Sequence, residues 1–369
     1  MTPALIKYRL LKLRAHLDMP LLIIVCILMV AGLMTVYSAT YTSGGTRLNN
    51  QAVSMILAFM VMVAAAQVSP QNLMRFAVPL YLLSLVLLIG VALFGVVVNG
   101  SRRWISFGFT RIQPSEVMKI AMPMMLAWYF HKSEEAINAK SFAIATFILL
   151  IPIALILKQP DLGTSLLIGA AGFFVIFFAG LPWKAMIALA ASAGAAFPFI
   201  WERMHDYQRR RIMTLLDPTS DPLGAGYHII QSTIAIGSGG TFGKGWLNGT
   251  QSHLKFIPER HTDFIFAVFS EEWGLVGSAF LIFLFFCLSV RGLMIAANAP
   301  SLFSRLLAAS ISMILFTYAF VNMGMVSGIL PVVGVPLPFI SYGGTALVTL
   351  MLGVGILMSI HTHRVLIKK

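Results

Sequence analysis

Charge is scarce in this chain. Of 369 residues, 13 are Asp or Glu and 26 are Lys or Arg, so 11% are charged while 58% are hydrophobic. Soluble globular domains carry about 25% charged residues, and a mean hydropathy of +0.87 excludes that class. Cysteine is scarcer still. Cys26 and Cys287 both fall inside apolar stretches, which argues against a disulfide framework and leaves them as small packing residues. There is no low-complexity tract, heptad run or fixed-period repeat, so one membrane domain is the economical parsing. The glycine-rich stretches match neither a P-loop nor a dinucleotide fingerprint, both of which need a strand before the glycines. A net charge of +13 without a nucleic-acid motif points to membrane lipids, through their anionic headgroups, and away from nucleic acid.

What the chain does have is long apolar runs. A span needs roughly 20 apolar residues, and such windows lie near 19–38, 52–69, 76–98, 117–131, 141–157, 162–180, 184–200, 263–290, 303–329 and 344–361. The expected fold is therefore all-α: a polytopic integral membrane protein of about ten transmembrane helices with one large extracytoplasmic loop at about 201–262. An even span number puts both ends on one side. Lys7, Arg9, Lys12 and Arg14 at the front and Arg364, Lys368 and Lys369 at the back make that side cytoplasmic. The parsing is a cytoplasmic tail at 1–17, a membrane domain at 18–363 and a cytoplasmic tail at 364–369. The first span is long and lacks a small-residue cleavage site, so it reads as a retained helix. The short outer connections nonetheless hold Arg47, Arg102, Arg103, Arg111, Lys119 and Lys158, and this outer excess calls for a separate explanation.

Four constellations carry polar chemistry. In Arg111-Ile-Gln-Pro114-Ser115-Glu116-Val-Met-Lys119, Pro114-Ser115 reads as a helix start with Ser115 as N-cap, and Glu116 and Lys119 share a helix face. This is either an interfacial anchor with one ion pair or an anion-binding ledge. In Lys158-Gln-Pro160-Asp161, Pro160 ends one helix and Asp161 caps the next, although its side of the membrane also suits an outer polar cavity shared with the first cluster. The loop carries Arg209-Arg210-Arg211 and the glycines from Gly237 to Gly245. It is either an ordinary flexible loop, or a place where backbone amides approach a phosphate while residues 229–236 form a short helix lying on the membrane. Finally, Glu259-Arg260-His261-Thr262-Asp263 puts a carboxylate among cations. If the span starts near Thr262, the helix dipole and Arg260 favour the ionised carboxylate, a cap or an available base. Glu271 lies eight residues on, roughly 12 Å deeper along a helix, so Glu271 and Glu272 need internal partners or water. His361 and His363 form an H-x-H pair, which without a third ligand is a weak metal signal.

The run from Asn322 through Gly328, Pro331, Gly334, Pro336 and Ser341-Tyr342-Gly343-Gly344-Thr345 resembles the C-terminal signature of the SEDS family (shape, elongation, division and sporulation). Gln113-Pro-Ser-Glu116, Gln159-Pro-Asp161-Leu-Gly-Thr164, His205-Asp206-Tyr207-Gln208, Gly224-Ala-Gly-Tyr-His228 and Glu259-Arg-His-Thr-Asp263-Phe resemble its rod-shape branch, and no motif position departs from the pattern. The resemblance covers nearly the whole chain. It implies a peptidoglycan glycosyltransferase of the bacterial inner membrane that polymerises lipid II on the outer face during cell elongation. Implied partners are a class B penicillin-binding protein and the elongation machinery. By the family pattern Asp263 is catalytic, the base for the acceptor sugar's 4-hydroxyl, with Glu116, Lys119 and Asp161 around the same cavity. Lys158, Arg111, Arg210 and Arg260 supply the cation type that a departing pyrophosphate needs. A Mg²⁺ or Mn²⁺ ion could share that work. The competing class is a lipid II flippase, whose binding groups would sit near the midplane. A scaffold that only recruits other wall enzymes would not need a carboxylate in a cationic pocket.

Overall fold

The structure is a computed structural model that describes residues 17–41, 46–98, 101–106, 111–159, 161–204, 206–221, 224–254, 256–257 and 259–366. The two tails, residues 1–16 and 367–369, lie outside it. Ten long helices follow the ten apolar windows: α1 (Met19–Thr40), α2 (Thr46–Ala66), α3 (Pro70–Phe94), α4 (Pro114–Lys132), α5 (Ala139–Leu157), α6 (Leu162–Phe178), α7 (Trp183–Arg203), α11 (Ile265–Ala297), α12 (Leu302–Val326) and α13 (Gly344–Leu366). Eight are long and apolar enough to cross a membrane. The other two have physical reasons to fall short. Helix α6 has only 17 residues, and α4 carries Glu116 and Lys119 inside its first turns.

The loop between α7 and α11 is largely helical, with α8 (Asp206–Leu216), α9 (Ala225–Gly239) and α10 (Thr250–His253). The apolar stretch expected to lie on the membrane belongs to α9, which packs into the bundle instead. Ser232 donates to the Val326 carbonyl at 2.8 Å, and the His228 ring stands 5.4 Å from that of Phe264.

An unforeseen element is a small antiparallel sheet in the order β1 (Val96–Val98), β2 (Ser101–Ser106) and β3 (Arg111–Ile112). Gly95 leaves α3 in an extended conformation. Three β-branched valines then pair with β2, Val96 opposite Trp104 and Val98 opposite Ser101, as such residues favour. The span read as 76–98 therefore ends at Phe94.

Helix α12 lies at the centre, with Leu306, Leu307, Ala308 and Met325 all fully buried. Around it small residues set the spacing, since apolar lipid gives helices little hydrophobic drive to associate and close packing must supply it. A Cβ at Gly355 of α13 would meet the Met62 carbonyl of α2 at 2.4 Å. Helix α7 is the opposite case, with no buried residue along its length.

Helix α11 is broken at Gly274 (φ 65°, ψ −162°). The glycine loop after α9 fills the break. Lys244 N and Gly245 N donate to the carbonyls of Glu271 and Glu272, both at 3.0 Å, while Leu275 N and Val276 N donate to Gly240 O and Thr241 O at 2.9 and 3.0 Å. The glycines that suggested a phosphate cradle spend those amides inside the protein.

Candidate active site

Asp263 precedes α11, whose N-cap is Phe264, so it stands before the first turn and not within it. Its backbone is fastened by the C-terminal signature. Tyr342 N donates to His261 O at 2.8 Å, Ser341 Oγ to Thr262 O at 2.7 Å, and Asn322 Nδ2 to Asp263 O at 2.8 Å. Three successive carbonyls are thus held by residues 59 to 81 positions away. Asn322 also donates to Val335 O at 2.6 Å, and Ser341 Oγ accepts from Leu337 N at 2.7 Å, which ties the signature loop to itself. Gln51 of α2 closes the buckle, donating to Ser341 O and accepting from Gly343 N.

The Asp263 side chain is treated differently. No hydrogen bond from a described residue reaches its carboxylate, which packs beside Gly334 (φ 72°), where a Cβ would lie 3.3 Å from Oδ2. Burial and then the charge of Glu259 push its pKa up to about 6, with Arg211 pulling the other way. The expectation that the helix dipole and Arg260 favour the ionised form is corrected on both counts. The helix starts two residues later, and the Arg260 guanidinium is directed to the carbonyls of Ala39 at 2.7 Å and Ser252 at 2.6 Å. Glu259 itself holds a left-handed φ of 45°, and its carbonyl caps the turn by accepting from Thr262 N at 3.0 Å.

The second group of charges lies across the signature loop. A Cβ at Gly163, two residues after Asp161, would stand 2.6 Å from Val333 O. The adjacent residues Val333 and Gly334 therefore touch the start of α6 and the Asp263 carboxylate respectively. Asp161 is the N-cap of α6, accepting from Thr164 N at 3.1 Å and Thr164 Oγ1 at 2.9 Å, and its Oδ2 lies 3.5 Å from Arg103 Nε of β2. Glu116 and Lys119 form a buried ion pair at 2.6 Å. The helix that carries them begins at Pro114 with Gln113 as N-cap and no side-chain cap, so Ser115 does not serve as cap. Lys119 Nζ sits 5.2 Å over the Tyr318 ring, and the charges of Lys119, Glu116 and Asp161 all reach the Tyr318 hydroxyl.

Of the cations read from the sequence, Lys158 is exposed at the end of α5 and Arg210 is exposed on α8. The neighbour that acts on Asp263 is Arg211, one residue further on. Arg111 opens β3, and its side chain lies outside the described residues. Arg103, Arg211, Tyr318, Asn322 and Ser341 were not singled out for these roles. For the last two, the signal was present as a motif without its bonding. Among the described residues no group of three His, Cys, Asp or Glu could hold a metal ion. His361 instead meets Asp18 at 3.2 Å, and His363 meets the Ser359 carbonyl at 2.9 Å.

Eight helices long enough and apolar enough to cross a membrane among the described residues, with buried charge pairs among them, define a multi-pass membrane protein with a built polar site. The family model described as FtsW, RodA and SpoVE, cell cycle protein, matches residues 18–366, and the chain belongs to this family. It is 50% identical to peptidoglycan glycosyltransferase MrdB of Escherichia coli K12, over 96% of each chain. It is 33% identical to peptidoglycan glycosyltransferase RodA of Treponema pallidum, covering 94% of this chain and 98% of that one. Among solved structures it is similar to a chain of a peptidoglycan synthase complex described as coordinating polymerization and crosslinking, with a TM-score of 0.82, 34% identity and coverage of 94% and 98%. It is also similar to the rod shape determining protein RodA of Thermus thermophilus, with a TM-score of 0.72, 28% identity and coverage of 94% and 97%.

Proposed function

We propose that this chain is a peptidoglycan glycosyltransferase that polymerises lipid II during cell elongation, with Asp263 as the base. The observation that carries this reading is the contrast at one residue: the backbone at Asp263 is held through three successive carbonyls, while its carboxylate receives no hydrogen bond from a described residue and has a pKa of about 6. A rigidly placed, partly buried carboxyl near neutrality is suited to take the proton of an acceptor 4-hydroxyl as the new glycosidic bond forms. The leaving undecaprenyl pyrophosphate needs positive charge. Arg211, Arg103 and Lys119 supply that type around the two neighbouring clusters.

The active site faces outward in this reading and both termini are cytoplasmic, following the basic tails. The substrate's prenyl chain stays in lipid while its sugars meet Asp263. A class B penicillin-binding protein is the partner, consistent with the crosslinking named for the similar complex. Should a divalent cation take part, Asp263 and Glu259 are the fitting oxygen donors, with pyrophosphate oxygens completing the set, the usual arrangement for Mg²⁺.

The test is Asp263→Asn, which keeps size and removes the base. Purified protein in liposomes with lipid II should bind substrate but lose chain synthesis by about 10² or more. Chain synthesis near the normal rate by folded Asp263→Asn protein would falsify the base assignment. Transport of lipid II without polymerisation by the unaltered protein would favour the flippase reading instead.

A further inference from the structure

Glu271 has no exposed surface. A carboxylate buried this deeply costs several kcal/mol unless donors surround it, and here four do. Its Oε1 accepts from Lys244 Nζ at 2.8 Å, Thr250 Oγ1 at 3.1 Å and Gln251 N at 2.9 Å, and its Oε2 accepts from Ser252 N at 3.3 Å. The fit is close, because a Cβ at Gly249 would stand 3.0 Å from Oε2. The carbonyl of Ser252 is in turn the acceptor for Arg260 NH1 at 2.6 Å, while Arg260 Nε reaches Ala39 O at 2.7 Å. Arg260 is three residues before Asp263, in the turn that the Glu259 carbonyl closes by accepting from Thr262 N and Phe264 N at 3.0 and 3.3 Å. A continuous path of polar contacts thus runs from Glu271 through Ser252 and Arg260 to the turn that presents Asp263.

We propose that Glu271 is a positioning residue for the glycosyl transfer, fixing the Asp263 carboxylate through Ser252 and Arg260. This rests on the reading of Asp263 as the base. The signature loop holds the 261–263 carbonyls from one side, and the Glu271 path holds the turn from the other. The two restraints come from different elements, the signature loop with α12 and the loop 244–252 with α11, so each can be loosened separately. Glu271 does not touch the reacting atoms. Its effect is geometric, and misplacing a reacting group by about 1 Å costs up to 10²-fold in rate.

The experiment compares Glu271→Gln, Arg260→Lys, the double variant and Asp263→Asn in purified full-length protein, measuring lipid II affinity, chain synthesis rate and its pH profile. Glu271→Gln keeps the volume but removes the negative charge that pairs with Lys244 at Oε1 and replaces one of the two acceptor oxygens with a donor NH2. Its rate per folded molecule should fall about tenfold with lipid II affinity within threefold, and the acidic limb of its pH profile should move. A plain folding brace would lower the yield of folded protein and leave rate and pH limb alone. Residues acting along one path are non-additive, so the double variant should be no slower than the slower single. Rates that multiply, or an unchanged Glu271→Gln profile, overturn the proposal. If Glu271→Gln does not fold, Lys244→Met removes only the half-buried partner. It should show a smaller rate loss with the same direction of pH shift, and a rate and profile equal to the unaltered protein overturn the proposal. Near-normal synthesis by Asp263→Asn overturns the base reading and this proposal together, whereas an inactive Asp263→Asn with multiplicative Glu271 and Arg260 losses overturns this proposal alone.

Discussion

Two aspartates stand immediately before spanning helices at opposite ends of the bundle, and their surroundings could hardly differ more. Asp18 caps α1 by accepting from Leu21 N at 3.0 Å. It takes both nitrogens of Arg291, Nε at 3.1 Å and NH2 at 2.5 Å, and meets His361 at 3.2 Å. Burial pushes its pKa up, but the Arg291 hydrogen bond, the Leu21 amide and the nearby positive charges outweigh it and hold the carboxyl below the usual range. Asp263, only partly buried by exposure, has no such donors among the described residues, and desolvation with the charge of Glu259 raises its pKa to about 6. The first arrangement joins three helices, α1, α11 and α13, and leaves the carboxylate nothing to react with. The second sacrifices local stability and leaves the carboxylate available. On the proposed reading, a fastened backbone with an unfastened side chain marks the reactive end.

Neutralising each in turn should give stability changes of opposite sign. Asp18→Asn strands Arg291, and breaking such a pair costs about 3 kcal/mol; chain synthesis per folded molecule should stay within threefold. Because the folded pKa of Asp18 is depressed, its contribution is present above the unfolded value and is lost as pH falls through the folded one. Asp263 carries the other sign. Its raised pKa means the folded state is favoured by the protonated form below the unfolded pKa, and this advantage is lost as pH rises through about 6. Asp263→Asn should therefore melt higher than the unaltered protein at pH 8, by an amount on the order of 1–3 kcal/mol, and the two should converge near pH 4. Thermal melts in one detergent check both, and a destabilised Asp263→Asn at pH 8 would break the comparison.

The second expected effect is on rate. With the base protonated below about pH 6, chain synthesis should drop roughly tenfold for each unit of acidity beneath that point, whereas melting of the Asp18 cluster should begin only at lower pH. A flat rate between pH 7 and pH 5 would remove the general base.

The smallest effect concerns the buckle. Ser341→Ala deletes the hydroxyl that donates to Thr262 O and accepts from Leu337 N, and should cost about 1–2 kcal/mol of stability with a few-fold loss of rate. If synthesis is unchanged while stability falls, the carbonyl clamp is a folding device only.

The ten helices were legible because each follows an apolar window that nothing else explains, and Asp161 as a cap was legible from Pro160-Asp161 alone. The sheet was hidden, since Val96–Val98 extends the apolar run of α3 and only Gly95 marks the change. Which arginine's charge acts on Asp263 was hidden as well. Arg210 and Arg211 differ by one helical step, and the direction α8 faces is decided by packing. The roles of Asn322 and Ser341 depend on bonds to carbonyls 59 and 79 residues away, which periodicity cannot reveal. Arg260 misled for a related reason: a guanidinium next to a carboxylate in sequence is directed elsewhere when two carbonyls lie closer in space.

The break at Gly274 leaves α11 in two lengths, and the loop at 240–245 accepts from and donates to four backbone groups that the helix leaves open. The length that begins just after Asp263 is therefore bonded through the Glu271 and Glu272 carbonyls to the loop at 240–245 as well as joined to the shaft beyond it. In hydrogen exchange the amides of Lys244 and Gly245 should behave like helix interior and not like loop, opening only together with Leu275 and Val276. The Asp263 carboxylate, on the proposed reading the base, would then ride on a cap that opens as one cooperative unit, and the exchange of those four amides would report how readily it opens.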